Sequence, residues 1–208
     1  MKGQFDGLTK EQQLEIKMKR VVRLINSLMD GNRDPILRKI YDEFGPRIFR
    51  RCSAPADFAE KLFREKMRGK GFKTAVEIGC LNGITAAVMS QYVDVVHTFD
   101  IIDWKDKYKI WKFLGVEKKI RFHLIKNELE KYDIINGLDF DIAYVDGNHV
   151  NCTWSDYLVT RKCGRIFLHE ATHESSQPWE LAEALPEKEI TKWQFGPKVC
   201  SLVYWDNK

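Results

Sequence analysis

At 208 residues, 44% hydrophobic and 31% charged, the chain is sized for one soluble α/β core domain with a small extension. No apolar run approaches the roughly 20 residues that span a bilayer, and no apolar signal region follows Met1-Lys2-Gly3-Gln4-Phe5-Asp6, so a cytoplasmic protein is expected. Five scattered cysteines (52, 80, 152, 163 and 200) form no C-x-x-C pair and read as reduced thiols.

The net charge of +4 is unevenly spread. Residues 1–72 hold 17 basic and 10 acidic side chains, and the remainder 17 and 20. Such a surplus can attract a phosphorylated partner or RNA. No aromatic-interleaved basic motif accompanies it, so nucleic acid is not expected as a partner and the charges read as solvated helix faces.

Three helices are predicted ahead of the sheet. Thr9 and Gln12 form a capping box that starts the first, which stops near Gly31. Leu14, Met18, Val21, Ile25 and Leu28 fall on one face of it, extended by Val22 and Met29. That stripe suits docking onto the chain's own core, or onto a second copy in a homo-oligomer. The second helix begins at Asp34-Pro35 and ends before Gly45-Pro46. The third runs from about Pro55 to Arg68, with Phe58, Leu62 and Phe63 facing inward. The chain divides into a helical extension, 1–55, and a sheet domain, 56–208.

From Lys73 onward apolar runs alternate with helical stretches, which argues for a parallel sheet with crossover helices. Strands are predicted near 74–78, 95–100, 120–125, 140–146 and 165–169, and helices near 83–91, 104–114, 128–135 and 151–162. Another helix is expected after Pro178. The tail from Ile190 to Trp205, broken at Gly196-Pro197, reads as a hairpin.

The stretch Lys73 to Gly83, K-T-A-V-E-I-G-C-L-N-G, is a strand running into a glycine turn and a helix. Asp100 lies 21 residues after Gly79, at the end of the next apolar run. An α/β sheet grips a nucleoside-bearing cofactor with such a layout, because glycine admits close approach and a carboxylate accepts from a ribose diol. The spacing E-x-G-x-x-x-G weakens a pyrophosphate-binding reading, and no G-K-[ST] follows for a P-loop. Polar residues recur at the other strand ends: Asn127 after the third, Asp146, Asn148 and His149 after the fourth, His169, Glu170 and His173 after the fifth.

These motifs resemble the class I S-adenosylmethionine-dependent methyltransferases. Glu77 to Gly83 looks like their first motif and Asp100 like their acidic ribose contact. Phe140 to His149, F-D-I-A-Y-V-D-G-N-H, is similar to the D-G-x-H segment of a small-molecule O-methyltransferase subgroup that includes enzymes methylating sugars of natural products. Asp156 matches an aspartate often found shortly after that histidine. The resemblance implies a Rossmann-like sheet of order 3-2-1-4-5-7-6 with strand 7 antiparallel. It implies S-adenosylmethionine held by Glu77, Gly79, Cys80, Asn82, Gly83, Asp100, Ile101 and Asn127, with a small-molecule hydroxyl as acceptor. His149 and Asp146 are the catalytic candidates, His149 as general base. The subgroup also implies a second route, Mg²⁺ or another divalent ion held by Asp146 and Glu170, with His173 a further candidate ligand. Glu170 is followed by Ala171 where the family commonly has a second acid, so that set is incomplete.

His169-Glu170-Ala171-Thr172-His173 is a literal H-E-x-x-H. Zinc-peptidase chemistry needs both histidines on one helix face, whereas a strand leads into this motif and Pro178 follows it. Three alternatives to a small-molecule methyltransferase remain at this point. They are a non-catalytic module using basic residues such as Arg47, Arg50 and Arg51, an RNA methyltransferase, and a metal-dependent hydrolase.

Overall fold

The structure is a computed structural model that describes residues 9–13, 35–45, 48, 56–148, 150–169, 176–195 and 198–207, with the backbone alone at 35, 56–60, 193–195 and 198–200. The first described residues keep the capping box: Gln12 Oε1 accepts from the Thr9 amide at 2.9 Å, and Thr9 Oγ1 accepts from the Gln12 amide at 3.2 Å. The apolar stripe Leu14–Leu28 lies outside the described residues, as do Arg47, Arg50 and Arg51.

Ahead of the sheet the described residues include α1 (Pro35–Phe44) and α2 (Ala56–Met67). The alternating part follows as β1 (Thr74–Ile78), α3 (Ile84–Met89), β2 (Val95–Asp100), α4 (Asp106–Leu114), β3 (Ile120–Leu124), α5 (Glu128–Asn136), β4 (Ile142–Val145), α6 (Thr153–Thr160) and β5 (Arg165–His169). The chain closes with α7 (Gln177–Ala184) and the hairpin β6 (Glu189–Phe195) and β7 (Lys198–Asp206). The seven strands stand in the order β3-β2-β1-β4-β5-β7-β6. The pairs from β3 to β5 are parallel, and β7 runs antiparallel to both β5 and β6. The order and the reversed seventh strand are those the resemblance implies.

Period-two alternation assigns each strand's side chains to two cores. Ala75, Tyr144 and Phe167 pack against Leu37 and Ile40 of α1, Leu62, Phe63 and Met67 of α2 and the buried face of α3. Val76, Ile78, Phe99 and Val145 pack on the opposite face against Ile135 of α5 and Leu181 and Ala182 of α7. Phe63 anchors the first core with edge-on contacts to Tyr144 at 5.6 Å and Phe167 at 4.7 Å. Burying one such ring contributes about 1.5–3 kcal/mol. Phe58, expected to face inward beside Leu62 and Phe63, has a side chain outside the described set.

The helix after β4 ends differently from its expected span. The stretch predicted as 151–162 is helical from Thr153 to Thr160 and tightens to a 3-10 turn over Arg161–Cys163. The Thr160 hydroxyl donates back to the Asp156 carbonyl at 2.6 Å, a bond that competes with the helix ladder, and Gly164 ends the turn in the left-handed region. The polar strand ends thus meet along one edge of a three-layer sandwich, where open α/β sheets hold their ligands.

Candidate functional site

The turn after β1 is shaped by its neighbours on both sides. Gly79 has φ +95, and a side chain there would strike the Asp146 backbone, its Cβ lying 2.7 Å from the Asp146 carbonyl carbon. Gly83, at φ +74, carries a carbonyl that accepts from Trp111 Nε1 at 2.8 Å. A Cβ on Gly83 would sit 2.6 Å from that ring nitrogen and 2.8 Å from Lys107 Cβ. The two glycines therefore let the turn press against the end of β4 and against α4.

Asp100 ends β2 beside this turn. Its Oδ2 accepts from the Leu81 amide at 2.7 Å and its Oδ1 from the Ile102 amide at 2.9 Å. Each carboxylate oxygen takes two hydrogen bonds, so Asp100 fixes the turn and keeps acceptor capacity for a ribose diol. Ile101, its neighbour, is 65% exposed and Ile102 47% exposed, which makes an exposed apolar ledge beside the carboxylate. Asn127 caps α5, its Oδ1 accepting from the Glu130 amide at 3.0 Å, and stays on the surface.

The other residues of the first motif face inward. Glu77 is fully buried and accepts from the Thr98 hydroxyl across the β1–β2 pair. Burial pushes its carboxyl well above the usual range; Thr98 opposes this, and the nearby Asp146 and Asp100 carboxylates add to it. Cys80 is packed in the first core, where burial and then Glu77 push its thiol up. Asn82 is buried as well, its amide donating to the Ile48 carbonyl at 2.8 Å. The structure thus brings Glu77, Gly79, Cys80, Asn82, Gly83 and Asp100 into one corner, with Asp100 and Ile101 presenting side chains outward and the remainder bracing the turn.

The loop after β4 begins at Asp146, whose amide donates to the Ile78 carbonyl at 2.9 Å. The carboxylate lies between two partners: His169 Nδ1 is 2.6 Å from Oδ1, and the Tyr144 hydroxyl donates to Oδ2 at 3.3 Å. His169 closes β5 and is fully buried. It stands on a strand, so the H-E-x-x-H letters do not form the two-histidine helix face that zinc peptidases need. His149, Glu170 and His173 lie outside the described residues. Among the described residues no group of three His, Cys, Asp or Glu side chains is arranged to hold a metal ion.

Sequence reasoning missed the support under this loop. Lys131 of α5 and Asp156 of α6 are buried to 2% and 1% exposure and form an ion pair of 2.6 Å, with Glu128 as a second partner of the ammonium. Burial opposes the charge on Lys131, but Asp156 and Glu128 outweigh it and its pKa is raised. A Cβ on Gly147 would lie 3.1 Å from Asp156 Oδ2 and 3.0 Å from Ile78 Cγ2, so the loop is wedged between α6 and the end of β1. The signal available was Glu128 three residues before Lys131, a spacing shared with many surface pairs.

The geometry can be set beside known proteins. The structure superposes on an O-methyltransferase from Bacillus cereus in complex with SAH, with TM-score 0.64 and 15% identity over 92% of this chain and 100% of that one. It also superposes on the O-methyltransferase TomG from Streptomyces achromogenes, involved in tomaymycin synthesis and solved with SAM. There the TM-score is 0.60, with 15% identity over 89% of this chain and 96% of that one. The chain has the fold of S-adenosylmethionine-dependent O-methyltransferases. No family model and no curated protein matches the sequence. Among the described residues no helix is long and apolar enough to cross a membrane.

Proposed function

We propose that this chain transfers a methyl group from S-adenosylmethionine to a hydroxyl of a small acceptor such as a sugar or natural product. The observation that carries this reading is Asp100, held by two backbone amides at the tip of β2 with the apolar ledge of Ile101 and Ile102 beside it. That donor set fits a nucleoside: a carboxylate for the ribose hydroxyls and an apolar surface for the base. When bound, the donor supplies an electrophilic methyl on a sulfonium.

The chain's own residues then do three things. Asp100 and the turn from Gly79 to Gly83 orient the nucleoside. The β4 loop, braced by Lys131–Asp156 below and His169 beside it, sets the distance between donor and acceptor, which governs an in-line displacement. His149, three residues beyond Asp146, is proposed to take the hydroxyl proton. Asp146 is engaged by His169 on one oxygen and by the Tyr144 hydroxyl on the other, contacts that hold the β4 loop in place. The proposed transfer runs through His149, and a chelator is expected to leave it unchanged. The apolar stripe Leu14–Leu28 remains the proposed contact for a homo-oligomer.

Isothermal titration with S-adenosylmethionine and its demethylated product tests the reading. Binding in the micromolar range is expected, weakened at least 10-fold by Asp100→Asn, an order of magnitude corresponding to about 1.4 kcal/mol. No heat at millimolar ligand overturns it and favours a module without a donor site.

A further inference from the structure

The charge surplus at the chain's start has a counterpart elsewhere, in a form the N-terminal segment lacks. Residues 105–126 contain eight basic and two acidic side chains, a net +6 within a half of the chain that is negative as a whole. The stretch Trp104 to Phe113 reads W-K-D-K-Y-K-I-W-K-F, basic residues alternating with aromatic ones. Folding sorts the two kinds. Lys105, Lys109 and Lys112 of the α4 region stay exposed, as do Lys118 and Arg121 on the approach to β3 and on that strand. Between α4 and β3 lies a cavity of about 350 Å³ lined by Tyr108, Trp111, Phe122, His123, Arg121 and Glu117. Among the described residues β3 pairs with β2 alone, which puts this corner at the edge of the sheet.

The aromatic wall is fixed from inside. Lys107 is fully buried, its ammonium 2.5 Å from Asp103 Oδ1 and 3.1 Å from the Trp104 carbonyl. The same ammonium lies 3.7 Å from the centroid of Phe122 and 4.8 Å from that of Tyr108. Tyr108 packs edge-on against Trp111 at 5.6 Å and Phe122 at 6.3 Å and remains 42% exposed. A rigid, partly exposed ring inside a basic rim is the arrangement that binds single-stranded nucleic acid, where bases stack on aromatic rings and cations track the phosphates.

We propose that the corner between α4 and β3 is a docking surface for single-stranded RNA. A base enters the cavity against Tyr108 and Phe122, while Lys109, Lys112, Lys118 and Arg121 engage phosphates. Glu117 is the acidic member of the lining and disfavours a phosphate at its own end of the cavity. β3 and β4 are separated by β2 and β1, so the surface lies about 14 Å from the strand bearing Asp146, at the usual strand spacing. RNA held here tethers the protein without filling the space beside Asp146. This inference is independent of whether the chain binds a methyl donor.

The experiment is fluorescence anisotropy of a labelled 12-nucleotide single-stranded RNA of mixed sequence, titrated with full-length protein at 50 and 200 mM KCl. An abasic oligonucleotide of equal length and charge serves as the second probe. Micromolar binding that weakens with salt is expected, with the abasic strand at least 10-fold weaker on the unaltered protein. Tyr108→Ala is expected to weaken RNA binding about 10-fold at an unchanged salt slope, and Lys109→Glu/Lys112→Glu to flatten that slope. No binding at 50 mM KCl, or equal binding of the abasic strand, overturns the proposal. Preference for a duplex of the same sequence also overturns it, because stacked bases cannot enter the cavity.

Discussion

At the tip of β1 the chain turns on two glycines, and the turn is held through its own backbone: Gly79 packs on the Asp146 backbone, the Leu81 amide donates to the Asp100 carboxylate, and the Gly83 carbonyl accepts from the Trp111 ring nitrogen. At the tip of β4, the next strand in the sheet, charged side chains do the holding: His169 on Asp146, and Lys131 on Asp156 beneath Gly147. The first tip tolerates no added atoms, whereas the second depends on matched charges and should tolerate exchange when both partners change together. The difference follows from their proposed tasks. The donor corner must present one fixed shape to one cofactor, while the acceptor corner must place ionisable groups beside a reacting hydroxyl.

The largest expected effect comes from adding one methyl at the first tip. Gly79→Ala brings a Cβ into the Asp146 carbonyl and forces an L residue to φ +95. Backbone stands on both sides, so no side chain can swing away. A loss of more than about 4 kcal/mol is expected, in the class of exceptional substitutions, read as the urea midpoint or as failure to obtain folded protein. A stable, folded Gly79→Ala that still binds S-adenosylmethionine would break the comparison at its root.

That prediction marks how far the sequence could be read. The order of the elements was legible because apolar runs alternate with helical stretches, and β1, β4 and β5 are buried almost continuously, as strands covered on both faces should be. Asp100 was legible for the same reason, a carboxylate at a strand end. What Gly79 meets was not, because Asp146 is 67 residues away and the clash exists only once β1 and β4 are paired. Asn82 and Cys80 look polar and loop-borne in sequence, yet both are buried, since the turn folds back under α3 and onto Ile48. Lys107 and Lys131 read as surface lysines with the ordinary near neighbours Asp103 and Glu128; their burial, and the meeting of Lys131 with Asp156, arise only in the fold.

The second tip is tested by its ion pair. Lys131→Met removes the ammonium that faces the buried Asp156 carboxylate, and a loss of about 3–5 kcal/mol is expected in chemical denaturation. The double change Lys131→Met/Asp156→Leu should recover most of it, since a packed apolar pair often equals a buried ion pair. If the double variant is as unstable as the single one, the second tip is as intolerant as the first and the contrast fails.

A smaller effect separates the tips by pH. Glu77 lies under the first tip with its carboxyl pKa raised above the ordinary value of 4.5, chiefly by burial. A group raised on folding contributes stability that is complete below its unfolded pKa and is lost as pH rises through the folded value. Urea melts across this window should show the natural protein losing stability relative to Glu77→Gln as pH rises from about 4.5. Parallel curves for the two proteins would mean that Glu77 ionises freely beneath the turn.

The smallest effect has the opposite sign and comes from the flank of the sheet beside the first tip. His97 Nδ1 and His123 Nε2 lie 3.0 Å apart across β2 and β3, with Phe99 stacked on the His123 ring at 4.5 Å. Burial lowers both pKa values, and for His97 the neighbouring His123 and Arg121 lower it further. A histidine pKa depressed on folding leaves stability intact above the unfolded value of 6.5 and removes it as pH falls through the folded value. The natural protein should therefore weaken below pH 6.5, and His123→Phe, which keeps the stack and removes one of the two protons, should flatten that acid limb while leaving the alkaline limb of Glu77 in place. Two limbs abolished by two separate substitutions would show that the donor corner is bounded on both sides of neutral pH by different buried groups. A single substitution that removed both would mean they titrate as one unit.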